Sequence, residues 1–145
     1  MPDKQNLQPL LDARQNQLSL VFSASDGLDS KALGMLGANL AVLIFIAQGE
    51  RMHPLGLIIA SILFVVSIVC NIATVWSRDY IGNVNPVTHP EYLNFTESGL
   101  VVQLLADTEA AIEVNGGFNR LKWRLCAAAL VLSISGAALL AWCIL

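Results

Sequence analysis

The chain has 145 residues, 55% of them hydrophobic and only 13% charged, with a formal net charge of −3. A water-soluble domain carries about a quarter charged residues, and the apolar residues here stand in blocks rather than at helical or strand spacing, which excludes an ordinary soluble globular domain. The sparse basic residues do not interleave with aromatics as a nucleic-acid-binding stripe would, so no nucleic-acid partner is expected.

In chain order, residues 6–24 read as an amphipathic helix. Leu7, Leu11, Leu18, Val21 and Phe22 share one side, Gln15, Asn16 and Gln17 fall mostly elsewhere, and Pro9 suits the first turn. Such a helix packs against a partner subunit or lies on a membrane surface; its few positive charges favour protein packing over anionic lipid. "SDGLDS", residues 25–30, reads as a break before the first apolar block, with Asp29 or Ser30 capping the helix that follows.

The first block, residues 32–47, spans roughly 24 Å as a helix at about 1.5 Å per residue. That is slightly short for a hydrocarbon core of about 30 Å, so snorkelling side chains at its ends should help it across. A second block covers 55–76 and a third 125–145, and continuous apolar runs of this kind satisfy their backbone in lipid only as helices. A cleaved signal peptide is not expected, since the first apolar block begins only at residue 32. The expected fold is therefore all-α: a cytoplasmic segment 1–31, a transmembrane hairpin 32–76, a cytoplasmic loop and helix 77–124, and a third span 125–145.

Basic residues set the orientation. Lys4, Arg14 and Lys31 precede the first span, Arg78, Arg120, Lys122 and Arg124 lie between the second and third, and only Arg51 occupies the short turn "QGERMHP". Positive charge stays on the cytoplasmic side, which puts the N-terminus and long loop inside and the short turn and C-terminus on the opposite side. Lys31 then serves as a cytoplasmic anchor, its stem along the lipid and its ammonium at the headgroups. Trp76 and Trp123 fall at the cytoplasmic boundary and Trp142 near the other.

Between the second and third spans, residues 77–95 contain Gly82, Pro86, Pro90 and three asparagines, so the segment should be irregular. Tyr80, Tyr92 and Phe95 with Arg78, Asp79 and His89 form either a small binding surface or a loop packed beneath the bundle. Asn94 and Glu97 resemble a capping box that opens a helix. From about residue 96, Val101, Leu104, Leu105, Thr108, Ala111 and Ile112 form one side, and Gln103, Asp107, Glu109 and Glu113 the polar surface. "NGG" at 115–117 either stops this helix, since glycine takes the left-handed conformation readily, or marks a bend in a longer helix. On both readings Gly116 and Gly117 are the expected hinge.

Small residues recur at every fourth position of the third span, at Ala129, Ser133, Ala137 and Ala141, and Gly34 with Ala38 and Gly56 with Ala60 repeat the spacing. They permit close helix approach, and self-association into a homo-oligomer is expected. The principal polar side chains within the spans are Asn39, Asn71, Thr74, Ser133 and Ser135. They either bond between helices or line a water path through an oligomer; no deeply placed acid or base suggests a proton relay. Cys70, Cys126 and Cys143 all lie in spans and read as small packing residues, while His53 and His89 fall in different loops on opposite sides. Neither a metal site, a cofactor nor a catalytic constellation is expected, and the chain does not read as an enzyme.

"LDSKA" at the mouth of the first span (Asp29, Lys31, Ala32), with Asn115, Arg120 and Lys122 on the approach to the third, resembles the small membrane effector domains of prokaryotic nucleotide-signalling defence systems, especially the Pycsar transmembrane effector group and related two-span families. The resemblance implies an oligomeric effector that disrupts the inner membrane after a cyclic nucleotide is made during phage infection. On that reading Arg78, Tyr80, Arg120 and Lys122 would contact phosphate or base, arginine through its directional fork and tyrosine by stacking. The other expectation is a non-catalytic membrane subunit that scaffolds a larger complex through residues 6–24 and the helix at 96–114. Small-molecule transport finds little support in three spans with so few polar groups.

Overall fold

The computed structural model describes residues 4–48, 54–76 and 96–144. Three helices hold all of these but Thr96: α1 (Lys4–Gln48), α2 (Pro54–Trp76) and α3 (Glu97–Ile144). No strand occurs among the described residues, and each helix contains a stretch long and apolar enough to cross a membrane. The chain is an all-α, three-span membrane protein.

The break expected at "SDGLDS" is absent, and of the two readings of "NGG" the longer helix is the one observed. α1 runs straight through "SDGLDS". Here Ser30 Oγ donates to the Asp26 carbonyl 2.9 Å away, one turn back, so the hydroxyl is spent within the helix rather than competing with it. With no helix terminus nearby there are no free amides for Asp29 or Ser30 to cap, and Asp29 finds a different partner. α3 likewise continues through Asn115, Gly116 and Gly117. No described glycine takes a left-handed φ, so the helix does not stop there and a longer helix runs on into the third span. Pro9 is the sixth residue of α1 rather than part of its first turn.

α3 opens at Thr96, whose Oγ1 accepts from the Gly99 amide at 3.4 Å while its carbonyl accepts from the Leu100 amide at 2.8 Å. Thr96 is thus the residue that caps this end. Asn94, expected in that role, lies outside the described residues, as do His53, His89, Arg78, Tyr80 and the rest of the 77–95 segment.

The residues group into two compact units, one of Met1–Ser25 with Asp79–Asn119 and one of Asp26–Arg78 with Arg120–Leu145. In the first unit α1 and α3 run parallel: Arg14 pairs with Glu109 (3.2 Å), and further along both helices Asn119 Nδ2 donates to the Val21 carbonyl (2.8 Å). Burial recurs every seven residues, at Leu11, Leu18 and Ser25 on α1 and at Val101, Thr108 and Asn115 on α3. That is the spacing of a coiled-coil seam, in which a seven-residue repeat keeps one stripe facing its partner. The two apolar sides read from the sequence are the buried or half-buried ones, while Glu109 and Glu113 are exposed.

In the second unit α1 and α3 are again parallel, with α2 antiparallel to both, as three successive crossings require. Ala60, Phe64 and Leu140 form its apolar core, flanked by Val42, Leu43, Ile46, Leu57 and Leu139. α2 buries Ala60, Phe64, Ser67, Asn71 and Thr74, alternating steps of four and three. The Phe64 ring lies so close to Gly136 that a Cβ there would sit 2.9 Å from Cε2, and a Cβ on Gly56 would collide with Cys143 Sγ. The expected row of fours on the third span is only half used: Ala129 is buried and Ser133 half-buried, whereas Ala137 and Ala141 are exposed. A step of four overshoots a helical turn by about 40°, so such a row winds off the seam, while a step of seven drifts by only about 20°. Burial therefore follows Lys122, Ala129 and Gly136 instead. Gly34 and Ala38 are likewise exposed. Trp76, Trp123 and Trp142 all point outward, as aromatic belts do.

Candidate functional site: buried polar groups of the membrane bundle

Polar side chains enclosed in the second unit are the chemistry-bearing feature of this chain. Ser67 on α2 joins all three helices. Its Oγ accepts from Asn39 Nδ2 (2.8 Å, α1) and donates to the Ala129 carbonyl (2.8 Å, α3), with Ser133 Oγ 2.9 Å away. Ser133 Oγ in turn lies 2.9 Å from Asn39 Oδ1 and 2.9 Å from the Ala129 carbonyl. Each hydroxyl has one proton, so Ser133 serves one of these acceptors at a time and the cluster has several equivalent proton arrangements. Asn39 is closed on both of its amide atoms, which satisfies a group that lipid would leave unpaired.

Ten residues before Asn39 on α1 and eleven before Ser133 on α3, Lys122 Nζ reaches both carboxylate oxygens of Asp29, at 2.8 and 3.0 Å. Lys122 is fully buried and the Asp29 side chain is 14% exposed. Taking such a pair out of water is costly and close contact offsets the cost, so the pair fixes how α1 and α3 meet more than it adds net stability. Asn71 on α2 is also fully buried, yet neither its Nδ2 nor its Oδ1 has a hydrogen-bond partner among the described residues. Thr74, one turn beyond, donates back to the Cys70 carbonyl at 2.9 Å. Ser135, counted among the polar residues of the spans, is exposed.

Of the residues expected to contact a nucleotide, Arg78 and Tyr80 lie outside the described residues. Arg120 is exposed, while Lys122 is committed to Asp29 inside the bundle and presents no charge outward in this conformation. The pore or packing set comes together in part: Asn39 and Ser133 share one cluster, while Asn71 and Thr74 stand apart from it. Gly116 and Gly117 are helical residues of the first unit with open space around them.

Sequence reasoning overlooked Ser67, a lone serine in an apolar run, and the pairing of Asp29 with Lys122. A signal for the pair was present. Asp29 stands three residues before the first span at 32 and Lys122 three residues before the third at 125, so two opposite charges enter the membrane at equal depth on parallel helices. Compared with known protein families, characterised proteins and solved structures, the chain matches none.

Proposed function

We propose that this chain is a membrane effector of nucleotide-signalled antiphage defence that permeabilises the inner membrane as an oligomer. The observation that carries the reading is Asn71: a fully buried amide of a membrane helix with no hydrogen-bond partner among the described residues. An unpaired amide in such a place is costly, and a second arrangement of the helices in which it meets water or another chain recovers that cost. Asn39 and Ser133 face inward in one chain, so a water path lined by them requires the bundle to rearrange, and a ligand drives such a change by binding the rearranged state more tightly. Arg78, Tyr80 and Arg120 are the residues through which the cytoplasmic side would receive an anionic nucleotide.

The second reading, a scaffolding membrane subunit, is favoured by the closed Asn39–Ser67–Ser133 cluster, which behaves as a packing clamp. Purified protein in liposomes separates the two. Dye or ion leakage that depends on one member of a panel of cyclic nucleotides is expected for the effector, and Arg120→Ala should weaken the response. Correctly inserted protein that leaks under no condition refutes the effector reading and leaves the scaffold.

A further inference from the structure

On the second unit, an open groove of about 550 Å³ runs between α1 and α3, lined by Leu28, Lys31, Gly34, Trp123, Ala127 and Leu130 among others. Its volume lies within the roughly 300–1,000 Å³ of small-molecule sites. The groove is apolar except at one end, where Lys31 stands exposed with no ion-pair partner among the described residues. Asp29, two residues away, is already paired with Lys122. Trp123, 63% exposed, flanks the same region. The floor at Gly34 is open: a Cβ placed there would meet nothing within 4 Å.

We propose that this groove binds one anionic phospholipid, an acyl chain lying along Gly34, Ala127 and Leu130 and the headgroup charge resting on the Lys31 ammonium. The lining has the two parts such a lipid needs in the right order: a cation and an indole where headgroups begin, then apolar wall toward the bilayer centre. A helix from a second copy is the competing occupant. It would cover Lys31 and have to answer its charge: residues 32–47, 55–76 and 125–145 contain no acidic side chain, Asp29 is held by Lys122, and Asp26 stands more than a helical turn before Lys31 on α1. A lipid phosphate with net negative headgroup charge supplies that counter-ion directly. The proposal is independent of the effector reading and holds for a scaffold as well.

The test uses the full chain with Trp123 as the remaining indole, through Trp76→Phe and Trp142→Phe, in bilayers containing a small fraction of lipid brominated on its acyl chains. Brominated phosphatidylglycerol should quench Trp123 with an about fivefold preference over brominated phosphatidylcholine, the effect of one basic side chain at an anionic surface. Lys31→Gln should remove the preference. Gly34→Leu, which fills the groove and keeps the Lys31 charge, should remove it too, with helicity by circular dichroism unchanged. Equal quenching by the two lipids in the parent protein overturns the proposal. A preference that survives Gly34→Leu also overturns it, because Lys31 then attracts anionic lipid without the groove. A dimer in nanodiscs that Gly34→Leu dissociates assigns the groove to a second copy and overturns it equally.

Discussion

Asp29 and Lys122 lie 93 positions apart in sequence and form a two-pronged contact, with Lys122 Nζ 2.8 and 3.0 Å from the two carboxylate oxygens. Lys122→Met leaves the mostly buried carboxylate of Asp29 without its counter-charge and should cost about 3–5 kcal/mol, whereas Lys122→Met combined with Asp29→Leu should recover most of that loss. Unfolding by sodium dodecyl sulfate in detergent micelles, followed by circular dichroism, gives both values. A double variant as unstable as the single one would mean that the surrounding packing, rather than charge burial, sets the cost.

Two buried asparagines should respond with opposite signs. Asn39→Leu breaks contacts to both serines and should destabilise by about 1 kcal/mol, typical of hydrogen bonds between membrane helices. Asn71→Leu removes an amide that has no partner and should stabilise the bundle, by about 1–3 kcal/mol if its desolvation is fully relieved. The same unfolding titration compares them. If the effector reading is right, Asn71→Leu also reduces nucleotide-dependent leakage, because it removes a reason to leave the resting arrangement.

Glycine replacements should divide by location. Gly136→Ala places a methyl 2.9 Å from the Phe64 ring and should cost about 1–3 kcal/mol through overpacking. Gly116→Ala and Gly117→Ala meet nothing and sit in a helix, so each should stabilise by about 0.5–1 kcal/mol. If permeabilisation depends on a hinge at these two positions, leakage falls as stability rises. Leakage that is unaltered in the double variant removes the hinge role from Gly116 and Gly117.

In the first unit, the start of α3 should matter more than its surface charges. Thr96→Ala deletes the cap and should destabilise by about 1 kcal/mol. Glu109→Ala removes an exposed ion pair with Arg14 and should cost about 0.5 kcal/mol or less, diminishing with added salt. Hydrogen exchange of the Gly99 and Leu100 amides reports the first, and melting temperature across a salt series the second.

The membrane spans were plain in the sequence because lipid demands long uninterrupted apolar helices, and no other signal competes with that demand. Local punctuation misled. "SDGLDS" and "NGG" have the composition of breaks, but composition records what residues tolerate, and a glycine inside a long helix costs only about 1 kcal/mol relative to alanine, which the packing of the rest of the helix outweighs. The functional meaning of Lys122 was hidden for a related reason. Read alone, a lysine beside Arg120 and Arg124 is a solvated basic face; only the partner helix turns it inward to Asp29. Ser67 carried no pattern of its own, since a serine in a membrane helix becomes informative only when Asn39 and Ser133 are known to share its level.

Two of the polar contacts between α1 and α3, Asp29 with Lys122 and Asn39 with Ser133, also act as a ruler. Asp29 and Asn39 are separated by ten positions on α1, and their respective partners Lys122 and Ser133 by eleven on α3. Each interval is close to three helical turns at about 3.6 residues per turn. One residue inserted into either interval turns everything beyond it by about 100° and puts one contact out of phase with the other. Seven residues restore the phase but move the contact about 10 Å along the axis, so a length change between the contacts is tolerated only when α1 and α3 change together, and descendants of this sequence should vary in side-chain identity far more freely than in spacing.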